Sequence, residues 1–250
     1  MLEIFLLSLI QGVTEFLPIS SSSHLLILST YADFENQNLS IDVSLHIGSF
    51  LAVITYFNKD IINFIKNKYL FIKITIASIP VMVVGFFLIQ TNLIEKLRNI
   101  EVVGWTTLIF GVLLYISDKF KVEKNINSSF NYKSAIFIGL MQVISLIPGV
   151  SRSGITITAA RLLNFKRFDA SKISFLISIP TLGAVSIFGL KNIIYSDNIN
   201  FSLLNFLSIF LSFIFSYLTI KFFLKYIQKF NMTAFVIHRL VIGIILIFFS

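Results

Sequence analysis

The chain contains no cysteine, which excludes disulfides, thiolate metal sites and a cysteine nucleophile. Acids are scarce: 12 Asp and Glu stand against 20 Lys and Arg, and charged residues make up only 13% of the 250 positions. A net charge of +8 can signal nucleic-acid binding, but no basic groove with interleaved aromatics is present, so nucleic acid is not expected as a partner. The opening MLEIFLLSLI lacks a basic leader and a small-residue cleavage site before Glu15. It is expected to persist as a membrane segment rather than leave as a signal peptide.

Hydrocarbon is what the chain has in excess. It is 56% hydrophobic with 28 Phe and a mean hydropathy of +0.89, whereas soluble domains stay near one half apolar. Runs such as FIKITIASIPVMVVGFFLI and FLSIFLSFIFSYLTIKFF approach the ~20 residues that cross a bilayer. The expected fold is an all-α polytopic membrane protein, one integral membrane domain over 1–250, surrounded by membrane lipids.

Apolar segments fall at about 2–16, 23–31, 41–57, 69–90, 100–117, 134–147, 154–163, 173–190, 202–223 and 236–249. The pair 2–16 and 23–31 is interrupted at Pro18 and four serines, and the pair 134–147 and 154–163 at PGVSRSG, residues 148–154. Each pair is too short for two crossings and reads as a re-entrant helical hairpin; the other six segments read as full crossings. With the N-terminus outside, the loops near 58–68, 118–133, 161–172 and 224–235 fall inside. Of the basic residues, only Lys96, Arg98 and Lys191 then lie outside and Arg152 at a break; the rest, Arg239 included, lie inside, as the positive-inside rule requires.

The same order of segments recurs. One hairpin and three crossings occupy about 1–120 and again about 131–250, at an offset of about 131 residues on which Gln11 matches Gln142; Pro18 and Pro148 fall one residue out of step. Three crossings invert the second copy, so the expected plan is two inverted repeats whose hairpin tips meet near the midplane, as in many transporters.

Irregular backbone survives at membrane depth only inside protein or beside a wet cavity, and ionisable residues there are functional candidates. The first break offers Gln11, Thr14, Glu15, Ser20, Ser21, Ser22, Ser23 and His24; the second offers Gln142, Ser145, Gly149, Ser151, Arg152, Ser153 and Gly154. Arg152 presents a planar fork matched to phosphate oxygens. SSSSHLLILS and SRSGITITAA place hydroxyls and free N–H groups at helix starts, which favours anions. Glu15 is the only acid near either tip, so phosphate or diphosphate suits the set better than a cation. Structural readings stand beside this one: serines serve as packing glue between helices, Glu15 and Arg152 can form a buried ion pair, and His24 can be a core histidine. His46 is expected in packing or a loop contact, and His238, beside Arg239, at the inner surface.

QGVTEFLPISSSSHL (11–25) and PGVSRSG (148–154) resemble the two signature motifs of the bacterial undecaprenyl-diphosphate phosphatases, the bacitracin-resistance proteins, and the likeness extends through LHIGSFLAVITYFNKDI (45–61) to essentially the whole chain. The resemblance implies an inner-membrane hydrolase that converts the C55 isoprenoid diphosphate lipid to its monophosphate, recycling the carrier for peptidoglycan synthesis. It places the family's (Glu/Gln)-x-x-x-Glu pattern on Gln11 and Glu15, the catalytic serine and histidine on Ser21 and His24, and the essential arginine on Arg152, with Ser151 and Ser153 beside it. Thr14, Ser20, Ser22 and Gly154 join Gln11, Ser151 and Ser153 as expected substrate contacts. Two departures show: Ser23 stands where many members have Gly, and Gln11 leaves one carboxylate rather than two. The family is described as stimulated by Mg2+ or Ca2+; no metal-ligand spacing here demands either, and Glu15 is the one candidate ligand.

The nucleophile is open at this level among Ser21, with His24 three residues on as base, His24 itself, and water. A site on the hairpin that enters from outside is expected to face the periplasm. The alternative from another class is a transporter or flippase for the lipid carrier built on the same repeat. An ion channel is weak, because one carboxylate and one arginine make no selectivity ring.

Overall fold

The computed structural model describes residues 1–31, 38–66, 68–91, 99–120, 122, 124–195 and 203–248; the Ser22 side chain lies outside the described set. Among the described residues the chain is all helix apart from one isolated bridge between Lys124 and Phe165. The first hairpin is α1 (Leu2–Thr14) and α2 (Ser21–Tyr31). Then come α3 (Leu39–Tyr56), α4 (Asn58–Lys66), α5 (Lys68–Gln90), α6 (Ile100–Asp118) and the short α7 (Ile126–Ser129). The second hairpin is α8 (Tyr132–Val143), a 3-10 turn (Ile144–Leu146) and α9 (Arg152–Leu162), followed by α10 (Arg167–Tyr195), α11 (Leu203–Ile227) and α12 (Thr233–Phe248).

Local chemistry sets these boundaries. Asn38, Asn99 and Asn131 cap α3, α6 and α8, each side chain accepting from the N–H three residues on, which satisfies one orphan donor of a helix start. Pro18 lacks an N–H and disfavours helical backbone at Leu17, so α1 stops and a new helix begins at Ser21. The segment 58–68, expected as a loop, is largely the helix α4; NKDIINFIK alternates apolar and charged residues at helical spacing and so suits an interface.

Five helices, α3, α5, α6, α10 and α11, are long and apolar enough to cross a membrane, and the protein is a multi-pass membrane protein. The sixth expected crossing, α12, has 16 described residues, about 24 Å of helix. That is shorter than the ~30 Å hydrocarbon core.

Packing between helices relies on small residues, as expected where lipid offers no hydrophobic contrast. Along α3 and α11 a polar seam joins Ser49 to Ser212 and Ser216 (3.3 and 2.9 Å) and Asn205 to Ser40 and Ser44 (2.6 and 3.0 Å). Each hairpin packs on a helix far from it in the sequence. Gly12 of α1 lies against α11, where a Cβ would come within 2.5 Å of the Phe215 Cβ; Gly139 of α8 lies against α5, where a Cβ would come within 2.6 Å of the Ala77 carbonyl. Phe16, beside the first break, packs edge-on to Phe175, which continues the aromatic core to Phe57 and Phe223.

The four segments that charge assigns to one side meet at one end of the molecule. Asp118 accepts from Arg167 Nε (2.7 Å), lies 3.5 Å from Arg161 Nε and accepts the Met232 N–H (3.2 Å). Lys172 pairs with Asp60 at 2.7 Å, and Lys73 donates to the Phe130 carbonyl at 2.7 Å.

Candidate active site

Each break is built by the same device. Ser20 and Ser151 immediately precede α2 and α9, and both adopt left-handed backbone, with φ of 75° and 70°; such residues carry a strain of about 1–3 kcal/mol. Each serine Oγ then accepts the N–H three residues on, from Ser23 (3.4 Å) and Gly154 (3.1 Å). Ser23 fits this turn: it is buried and its hydroxyl donates to Ser20 Oγ at 2.8 Å.

The helix starts so formed converge on one carboxylate. Ser21, first residue of α2, donates its hydroxyl to Glu15 Oε2 at 3.0 Å. Arg152, first residue of α9, donates Nη2 to Glu15 Oε1 at 2.7 Å, with the two side chains 7% and 14% exposed for Glu15 and Arg152. Gln11 Nε2 also donates to Glu15 Oε2 (3.0 Å) and lies 3.1 Å from His46 Nδ1 on α3. Ser153 Oγ donates to the Leu17 carbonyl at 2.7 Å, a second tie between the tips. Two helix N-termini around one anion reinforce each other, because their partial positive charges sum at that point. Arg152 Nη1 is buried without a partner among the described residues.

His24 is fixed differently from the expectation that it pairs with Ser21. Its Nδ1 lies 2.7 Å from the Ser20 carbonyl and its Nε2 3.0 Å from His238 Nε2. Thr14 turns back to its own helix, donating to the Ile10 carbonyl at 2.6 Å. Ser20, Ser151 and the Gly154 N–H are spent on the caps, and Gln142 donates to the Ala77 carbonyl at 3.4 Å on α5 rather than joining the cluster.

Sequence reasoning missed four participants. His46 meets Gln11 instead of a loop. Thr106 and Thr107 of α6 hold the second break, donating to the Pro148 and Gly149 carbonyls at 2.6 and 3.3 Å. Arg239, assigned by its charge to the inner surface together with His238, is 1% exposed. It donates to the carbonyls of Pro18 (3.3 Å), Thr107 (3.2 Å), Gly149 (3.0 Å) and Val150 (3.1 Å). The reason is that α12 packs along α6, which also holds the second break, so the long Arg239 side chain reaches carbonyls on both tips. A lone Arg within FVIHRLVIGIILIFF was the available signal, since a charge amid apolar residues marks a buried role.

Hydroxyls, an imidazole pair and a guanidinium around two helix starts can bind a phosphoryl group and stabilise charge on it. The set does not fit a resident divalent cation. Both Glu15 oxygens are engaged, one by a guanidinium, and among the described residues no three metal-ligating side chains cluster.

Comparison with known proteins agrees with the motifs. The model of the family described as Bacitracin resistance protein BacA matches residues 4–245. A protein from Pelagibacter ubique (strain HTCC1062) named undecaprenyl-diphosphatase is 50% identical over 247 residues, covering 98% of this chain and 96% of its own. Proteins of the same name from Jannaschia sp. (strain CCS1) and Alcanivorax borkumensis are each 38% identical, over 98% of this chain and 96% and 97% of theirs.

Proposed function

This chain belongs to the bacitracin resistance protein family, and from that premise we propose that it hydrolyses undecaprenyl diphosphate to undecaprenyl phosphate and inorganic phosphate. The observation that carries the reading is the convergence of Ser21 and Arg152, the first residues of two helices, on Glu15. The protein's own carboxylate marks where the fold favours negative charge, and Arg152 Nη1 stands ready for a second anion.

Phosphoryl transfer needs positioning and charge stabilisation more than covalent chemistry. Arg152 and the helix N–H groups clamp the terminal phosphoryl group. As Arg152 turns from Glu15 to the phosphate, the carboxylate loses its counter-charge and becomes the stronger base toward Ser21, 3.0 Å away. Ser21 Oγ forms the bond to phosphorus, the bond to the departing lipid monophosphate breaks, and the hydroxyl proton passes to Glu15. Water then releases phosphate from Ser21, with His24 as the acid–base group of that step. Gln11 holds Glu15 in place. A divalent ion such as Mg2+ or Ca2+ would take its ligands from the diphosphate oxygens rather than from the chain.

An apolar groove of about 380 Å³ runs from Val13 and Leu17 beside the first break along Phe215, Leu218 and Phe222 to Phe235, and supports a place there for the isoprenoid tail. We assign the protein to the bacterial cytoplasmic (inner) membrane with the site open to the periplasm, because the Asp118 and Asp60 clusters gather the basic loops at the opposite, inner end. The halves are read as inverted repeats: Ser20 and Ser151, with matching turns and caps, stand about 131 residues apart. Recycling the carrier in this way underlies peptidoglycan synthesis and bacitracin resistance. The relatives' names favour this enzyme over a lipid-carrier transporter.

Free-phosphate release from C55 diphosphate by the purified protein tests the assignment. Arg152→Ala and His24→Ala should each lower kcat by about 100-fold or more, the scale of losing one charge-stabilising or acid–base group, in protein that still folds, with Arg152→Ala less stable because buried Glu15 loses its counter-ion. Near-normal rates in either variant, or lipid movement without phosphate release, refute it. Trapped phosphate should sit on Ser21.

A further inference from the structure

We propose that His238 is the proton partner of His24, and that its Nδ1 is the nitrogen through which the pair exchanges its proton with the site. The inference deepens the phosphatase reading and rests on it.

A carbonyl only accepts, so the 2.7 Å contact of His24 Nδ1 with the Ser20 carbonyl places a proton on Nδ1. Neutral His24 therefore has its lone pair on Nε2, 3.0 Å from His238 Nε2, with the two rings within 8° of parallel. Two facing lone pairs would repel, so His238 carries its proton on Nε2 and leaves Nδ1 bare. Both nitrogens of His24 are thus engaged, whereas His238 Nδ1 has no partner among the described residues. The pair's open nitrogen belongs to His238.

Proton flow then balances as follows. Water attacks the phosphate on Ser21, forming the new P–O bond as the Ser21 Oγ–P bond breaks, and Glu15 returns its proton to Ser21 Oγ. The proton lost by water enters His238 Nδ1, and the proton on His238 Nε2 shifts to His24 Nε2. His24 becomes the imidazolium, held by the Ser20 carbonyl, and His238 stays neutral with its proton on Nδ1. Reversal discharges one proton to solvent. Arg239, next along α12, is the neighbouring cation; before substrate binds, Glu15 and Arg152 neutralise one another.

His238→Gln keeps an N–H donor toward His24 but cannot relay a proton, and His238→Phe removes both. Both should lower kcat at least tenfold with KM within about twofold, the signature of a group used only in the chemical steps. Added imidazole should restore part of the rate to His238→Ala. A Gln variant as fast as the parent reduces His238 to a packing donor and overturns the proposal. If His24→Ala is fast as well, the phosphatase site itself is wrong; if only the His238 variants are fast, this inference alone fails. The unmodified protein gives a mutation-free check. Nitrogen-15 shifts of its labelled histidines should show protonated Nδ1 at His24 and protonated Nε2 at His238, and the opposite tautomers refute the relay.

Discussion

Replacing Arg239 by Met separates the scaffold of the tips from their chemistry. The guanidinium is 1% exposed and has no carboxylate within ion-pair distance among the described residues; its charge is balanced by four carbonyls. Hydrogen bonds to charged groups are worth about 1.5–3 kcal/mol each, which sets an upper bound of about 6–12 kcal/mol. Removing the charge also removes its own desolvation cost, while each buried carbonyl left without a donor costs about 1–3 kcal/mol, so the net loss should be about 3–5 kcal/mol. For a chain of this size that is a fall in Tm of about 10 °C. The rate should fall at least tenfold too, because Pro18 and Val150 lead into the strained turns at Ser20 and Ser151. Arg239→Lys should fall between, since an ammonium cannot span both tips. Thermal melting in detergent and phosphate release measure the two effects. A Met variant that melts within about 2 °C of the parent and turns over normally would refute the view that this clamp joins the hairpins.

Two further outcomes follow from other parts of the fold. Gly149 has φ +92°, and a Cβ there would run into Thr106 Oγ1 and approach the Val103 carbonyl to 2.8 Å. Gly149→Ala should therefore cost about 2 kcal/mol or more and slow phosphate release by displacing the second tip. Asp118→Asn leaves buried Arg161 and half-buried Arg167 without their counter-ion. It should lower Tm by an amount matching about 3 kcal/mol, while kcat and KM of the surviving folded protein stay at parental values.

Much of the architecture was legible because membranes leave a chain few choices. Long apolar runs must become helices, since lipid cannot satisfy backbone groups. The breaks at EFLPISSSSH and PGVSRSG follow from proline and serine chemistry that any context would show. Basic loops reveal one end, and the structure does bring Asp60, Asp118, Arg161, Arg167 and Lys172 together there. Glu15, Ser21, His24 and Arg152 stand out as candidates because polar residues in hydrocarbon are conspicuous, and the structure joins Glu15, Ser21 and Arg152. The pairing of Ser21 with His24 was not legible: residues three apart share a helix face, but Ser20 adopts φ 75° and its carbonyl takes the imidazole, leaving Ser21 to Glu15.

By itself, the sequence determined that this is a helical membrane protein with two polar interruptions, because those depend on hydrophobicity and local backbone preference. Tertiary structure alone decided that α12 packs on α6, that Arg239 is a buried clamp on both tips and that His238 faces His24. Those contacts join residues between 89 and 221 positions apart, and no local preference encodes a partner at such separations.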